Sequence, residues 1–116
     1  MPRRYVPQRG DIVWLSFTPQ AGQEQGGRRP ALVLSPSAYN RKVGLALLCP
    51  ITSRVKGYPF EVAILEGLVV TGAVLADQVK SLDWQARQAE FAGRLPDADV
   101  HEVVGMVLAL LTEGDA

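Results

Sequence analysis

Up to Leu95 the chain is built of short apolar runs broken by polar, glycine-bearing stretches. Residues 11–17 (Asp-Ile-Val-Trp-Leu-Ser-Phe) are rich in β-branched and aromatic side chains and predict a strand. Residues 18–29 carry three glycines, a proline and almost no apolar content, which predicts a loop that is long for a compact domain. The continuous apolar run 30–34 predicts a buried strand, opened by Pro30 where a missing N–H is tolerated. Residues 35–40 have room for one helical turn, and 43–49 predict another apolar strand. A polar connection over 51–59 leads to a strand at 60–64. Residues 72–79 predict a strand that turns polar at its end, and 88–95 a last short one.

After that the period changes. Val100, Val103, Val104, Val107, Leu108 and Leu111 fall on one stripe of an amphipathic helix. Asp97 or Asp99 is placed to cap its N-terminus, and both favour the positive end of its dipole. Met106 and Leu110 widen the apolar face beyond one stripe. A helix apolar over so much of its circumference needs cover from two sides, and a second copy of the chain is the expected source of the second cover. Five or six short strands and one terminal helix predict a mainly β (α+β) domain, a small barrel with a C-terminal helix.

A length of 116 residues fits a single domain spanning 1–116. With 47% hydrophobic and 21% charged residues, disordered, collagenous and low-complexity classes are excluded. The single Cys49 excludes an intramolecular disulfide and a cysteine-based zinc cluster. A single histidine, His101, excludes paired-histidine acid/base chemistry and argues against a dedicated transition-metal site, so neither metal nor cofactor is expected. No apolar run approaches the roughly 18 residues of a membrane span. The opening Met-Pro-Arg-Arg-Tyr has charge but no following apolar stretch, so no secretory signal is read and the expected compartment is the cytoplasm. Charge adds something that the net value of zero conceals. Residues 1–58 hold nine basic groups against two acidic ones, a net of +7, whereas residues 59–116 hold three against ten, a net of −7. Such a division suits a basic face for a polyanion, or equally a surface that is merely solvated.

The run Glu24-Gln25-Gly26-Gly27-Arg28-Arg29-Pro30-Ala31-Leu32-Val33-Leu34-Ser35 resembles the signature of the MazF/PemK family of toxin endoribonucleases. Three further blocks extend the resemblance in order: Arg4–Pro7 with Gly10–Trp14, Pro50–Thr52 with Lys56–Val62, and Leu75–Trp84. Four linked blocks covering nearly the whole chain are far more specific than one short motif. The resemblance implies an SH3-like barrel, a homodimer, metal-independent cleavage of single-stranded RNA and a small antitoxin partner. RNA carries its own nucleophile, the 2′-OH, so such an enzyme needs only to remove that proton, stabilise the phosphorane and protonate the leaving 5′-oxygen. The products are then a 2′,3′-cyclic phosphate and a 5′-hydroxyl.

The resemblance puts the catalytic arginine immediately before the proline, at Arg29. Its planar, permanently charged guanidinium suits charge stabilisation better than proton donation. Thr52 offers a hydroxyl to a phosphate oxygen or to the 2′-OH. Glu24 is either the general base or a loop carboxylate paired with Arg28. Lys56 suits a backbone phosphate, and Arg28 and Arg54 add positive charge beside it. Gly26 and Gly27 let backbone N–H groups approach a phosphate, or simply loosen the loop. Gln78 offers an amide to a base edge, while Phe17 and Tyr58 offer stacking faces, Phe17 also reading as core. Trp14 and Trp84 read as core or interface, His101 as surface and Cys49 as a buried thiol. Two other classes compete. A non-enzymatic toxin of the same barrel that traps DNA gyrase would have no reason to keep Arg29 and Thr52 together. A plain SH3-like binding module would need an exposed aromatic groove, and the chain has only eight aromatic residues.

Overall fold

A computed structural model describes residues 5–17, 27–64 and 70–113. In chain order the elements are β1 (Asp11–Ser16), β2 (Arg28–Val33), α1 (Ser37–Val43), β3 (Ala46–Thr52), β4 (Glu61–Ile64), β5 (Gly72–Leu75), a 3-10 turn (Ala76–Gln78), β6 (Lys80–Leu82), β7 (Glu90–Arg94) and α2 (Asp97–Thr112). The strands form one curled antiparallel sheet, a half-barrel in the order β4-β5-β3-β2-β1-β7, with β6 also paired to β3. Strand β3 is the hinge of this arrangement. One edge pairs with β2, and the other is shared between β6 along Ala46–Leu48 and β5 along Ile51–Thr52.

Continuous apolar runs in β1 to β3 are accounted for by two cores, one on each face of the sheet. Ile12, Leu32, Cys49 and Ile51 point to the face that α2 covers with Val100 and Val103. Val13, Leu15, Ala31, Val33, Ala46 and Leu48 point to the other, where Trp84 closes the core. Trp84 is buried and its Nε1–H donates to the Asn40 carbonyl at 3.0 Å. Among the described residues Asp11 is the one buried carboxylate. It is held by Arg94 Nη1 at 2.6 Å, the Tyr5 hydroxyl and the Gln8 N–H, a knot that fastens β1 to the end of β7.

Several boundaries fall elsewhere than the sequence predicts. The loop expected through residue 29 ends at Gly27, because Arg28 and Arg29 pair with Ser16 and Leu15 and extend β2. The expected helical turn continues to Val43 and is closed by Gly44 at φ +83°, so the strand expected from residue 43 begins at Ala46. That strand runs on through Pro50 to Thr52, into the stretch read as a polar connection. Pro50 is tolerated because it sits in the gap between the β6 and β5 pairings, where that edge has no strand partner. The strand expected over 72–79 stops at Leu75. The 3-10 turn then swings the chain to β6, whose Lys-Ser-Leu sequence carries too little periodicity to announce a strand. Neither aspartate caps α2: Pro96 occupies the N-cap with no side-chain hydrogen bond, and Asp97 and Asp99 lie in the first turn, where only the dipole acts on them.

Helix α2 buries Val100 and Val103, and Val104, Met106 and Val107 pack partly against the same core. Its last turns are uncovered by their own chain: Leu108 is 52% exposed and Leu111 73%. Among the described residues no helix is long and apolar enough to cross a membrane.

Candidate functional site

Because β1, β2 and β3 are antiparallel neighbours, the end of β1, the start of β2 and the end of β3 lie at one end of the sheet. Arg29 stands opposite Leu15, and the Phe17 N–H donates to the Gly27 carbonyl at 3.3 Å just beyond the ladder. The β2–β3 register pairs Ala31 with Pro50. Two residues further along each strand are Arg29 and Thr52, so the two fall at facing positions on adjacent strands. Strand alternation puts both on the face of Val13, Leu15 and Ala31, against whose core Phe17 also packs. Arg29 is exposed and Thr52 half-buried. Among the described residues the Arg29 guanidinium makes no ion pair. The Thr52 Oγ1 accepts the Arg54 N–H at 3.0 Å, which aims the hydroxyl and leaves its own proton to be donated.

Beyond Thr52 the chain forms a loop, residues 53–60, that presents Arg54, Lys56 and Tyr58 as exposed side chains. Glu61, the first residue of β4, holds this loop by its backbone. Its carboxylate accepts the Lys56 N–H at 3.2 and 3.1 Å and the Gly57 N–H at 2.9 Å. Gly57 takes the left-handed φ of +79° that turns successive N–H groups toward one point. The Glu61 N–H donates back to the Tyr58 carbonyl at 3.1 Å.

Arg28 occupies a different environment from its neighbour. Its guanidinium donates to the Ser16 hydroxyl, the carbonyls of Trp14, Arg87 and Gln88, and the Glu90 carboxylate at 3.1 Å. This clamp ties β1 and β2 to the turn before β7, in the frame under Arg29, and among the described residues the carboxylate it pairs with is Glu90. Gln78 is exposed in the 3-10 turn that joins β5, paired to Ile51 and Thr52, to β6, paired to Ala46–Leu48. Trp14 packs partly against the α2-side core, and His101 is exposed. Glu24 and Gly26 lie outside the described residues.

Four residues that sequence reasoning passed over shape the site. Arg87 donates to the Ser16 carbonyl at 3.1 Å, and Gln88 adopts φ +56° to turn its carbonyl to Arg28. Gly72 lies so close to Thr52 that a Cβ there would stand 2.0 Å from the Thr52 carbonyl oxygen. Glu61 is the fourth, and the turn-forming Gly57-Tyr58-Pro59 just before it was the available signal. Among the described residues no group of three or more His, Cys, Asp or Glu is placed to hold a metal ion. What gathers at this end of the sheet is a cation carried on a strand, an oriented hydroxyl and a second cation on a tethered loop. These are groups with the chemistry to grip a phosphodiester and to offset charge growing on it.

Known proteins share this architecture throughout. A family model described as "PemK-like, MazF-like toxin of type II toxin-antitoxin system" matches residues 8–111. The endoribonuclease toxin MazF of Escherichia coli is 46% identical over 111 residues, covering 96% of this chain and 99% of that protein. The endoribonuclease PemK of Escherichia coli is 35% identical over 122 residues, covering 97% and 91%. In a crystal structure of MazE-MazF from Deinococcus radiodurans, one chain is 57% identical and superposes with a TM-score of 0.91 over 96% of this chain and 100% of its own. Sequence match and backbone superposition run nearly end to end, and on that ground the chain belongs to the MazF/PemK family of type II toxins.

Proposed function

We propose that this protein is a sequence-specific, metal-independent endoribonuclease that cleaves single-stranded mRNA, and that it is the toxin of a toxin–antitoxin pair. The observation that carries the reading is the facing of Arg29 and Thr52 across β2 and β3. In the reaction, the RNA 2′-oxygen forms a bond to phosphorus as its proton passes to the base, and the bond from phosphorus to the 5′-oxygen breaks as that oxygen takes up a proton from water. Arg29 grips the two non-bridging oxygens, whose charge grows toward the phosphorane. Thr52 donates its hydroxyl proton to one of those oxygens. Glu24 is the base in this scheme, and Lys56 holds a neighbouring phosphate. Phe17 and Tyr58 supply stacking faces and Gln78 an amide for bases further along the strand. Gly26 and Gly27 give the approach that the phosphate needs, and Arg54 adds attraction.

The protein works as a homodimer that covers the exposed end of α2 or adjacent strands and brings two basic loop sets to one groove. The same groove takes the acidic, disordered tail of a MazE-like antitoxin, which folds as it binds. The MazE-MazF crystal structures of Deinococcus radiodurans, in each of which one chain resembles this one, support that partner. The test is cleavage of a long single-stranded RNA in excess EDTA, with ends mapped by primer extension and their chemistry determined. Cuts at a recurring short sequence with 5′-hydroxyl ends are expected, while duplex RNA and an all-DNA strand stay intact. Loss of cleavage in EDTA, or 5′-phosphate ends, refutes the mechanism.

A further inference from the structure

Resting on the nuclease reading, we infer that Glu61 is a positioning residue: its carboxylate clasps the backbone of the 53–60 loop and so fixes where Lys56 and Tyr58 meet the RNA. Three contacts of 2.9–3.2 Å from two consecutive N–H groups converge on this one side chain. Hydrogen bonds to an ionised carboxylate are about twice as strong as neutral ones. The other anchors lie at the loop's far end, where Phe60 packs against the α2-side core and the Tyr58 carbonyl accepts the Glu61 N–H. Residues 54–59 are exposed and contribute nothing to either core, with Val55 56% and Tyr58 50% exposed. One end of the loop is fixed by the Arg54 N–H on Thr52 Oγ1, and the other by Glu61. Glu61 is itself anchored, because it pairs with Leu75 in the β4–β5 ladder and the Ala76 N–H donates to the Phe60 carbonyl beside it. The clasp therefore ties the loop to a strand that is paired to β5, which in turn pairs with Thr52 itself.

Charge and position make opposite predictions for this residue. A carboxylate beside Lys56 repels a phosphate chain, so if Glu61 acted by charge alone its removal would tighten RNA binding. If it acts by holding the loop, removal loosens binding even though a negative charge is gone. Glu61→Gln separates the two, since it loses the charge but keeps one oxygen able to accept both N–H groups.

The experiment compares wild type, Glu61→Ala and Glu61→Gln in two ways. Without RNA, amide hydrogen exchange by NMR should show the Lys56 and Gly57 N–H groups protected in the wild type, exchanging about tenfold or more faster in the alanine variant, and in between for glutamine. With a long single-stranded RNA, Glu61→Ala should raise KM about fivefold or more while lowering kcat by a smaller factor, and Glu61→Gln should recover most of the loss. Melting curves establish that both variants are folded. Unchanged exchange at Lys56 and Gly57 in the alanine variant overturns the inference, as does a KM at or below the wild-type value. Should the wild type cut no RNA while the amides still respond, the nuclease reading and its consequence for RNA fall and the clasp alone stands.

Discussion

Arg29 is exposed, sits in a strand, and makes no ion pair among the described residues, so its side chain contributes little to the fold. Arg29→Ala should therefore melt near the wild-type temperature while slowing single-turnover RNA cleavage roughly a hundredfold or more, the usual loss when a preorganised charge stabiliser goes. Arg29→Lys should fall between the two, because it keeps the charge without the planar fork. Activity of Arg29→Ala close to wild type would remove the arginine from the mechanism. Cys49 is the opposite kind of residue. Burial, reinforced by the nearby Asp77 carboxylate, pushes its thiol from 9.0 up to about 12. At pH 8 it should resist alkylation in the native protein and react only on unfolding. Burial and the Asp11 carboxylate also raise the Tyr5 hydroxyl, so both groups keep protons in the folded chain that the unfolded chain releases. The folded state then binds more protons above pH 9, and stability must fall as pH rises from about 9 toward 12. A melting temperature flat across pH 8 to 11, or no flattening in the Cys49→Ala and Tyr5→Phe variants, would contradict this. These residue roles differ in how far the sequence reveals them. Cys49 as a buried thiol is legible because its setting is local, a thiol within an apolar run, whereas the role proposed for Arg29 comes from the family resemblance and not from the residues around it. The role of Arg28 depends on partners distant in the chain, which no local pattern encodes, and that of Glu61 on the turn of the backbone before it, of which Gly57-Tyr58-Pro59 is the only trace in the sequence.

Strand β3 ties the two halves of the sheet together, and Gly72 lets β5 come close enough to pair with its end. At φ +122° the position also excludes an ordinary side chain. Gly72→Ala should destabilise the protein by about 3 kcal/mol or more and displace Thr52, so that any folded fraction cleaves poorly. A variant that melts like the wild type would mean that β5 can retreat without harm. The strands themselves were readable where apolar residues run on without a break, as in β1, β2 and most of β3, since burial on both faces leaves that mark. They were obscure where tertiary pairing overrode local character. Arg28 and Arg29 become strand because β1 pairs with them, Pro50 does not end β3, and β6 exists because β3 offers it an edge.

The exposed leucines at the end of α2 leave the single chain with an apolar surface that a second copy would cover. Sedimentation equilibrium at micromolar concentration should give twice the 12.6 kDa chain mass, and Leu108→Glu with Leu111→Glu should shift it toward the monomer if that helix end is the contact. A wild-type mass of 12.6 kDa would show that one copy suffices. Helix and period were legible in advance, whereas the extent of its covered face was not, because the stripe does not say how far the sheet reaches beneath it. The pairing of β1 with β7, fastened by Arg94 on Asp11, joins the first of the described strands to the last. A ribosome makes the chain from its N-terminus, so Arg29 and Thr52 emerge early, yet β1 has no partner on its outer side, and Asp11 no guanidinium, until residue 94 is out. The frame beneath the site is thus completed only after Arg94 has been made, well after Arg29 and Thr52, and a chain cut short before that residue lacks it.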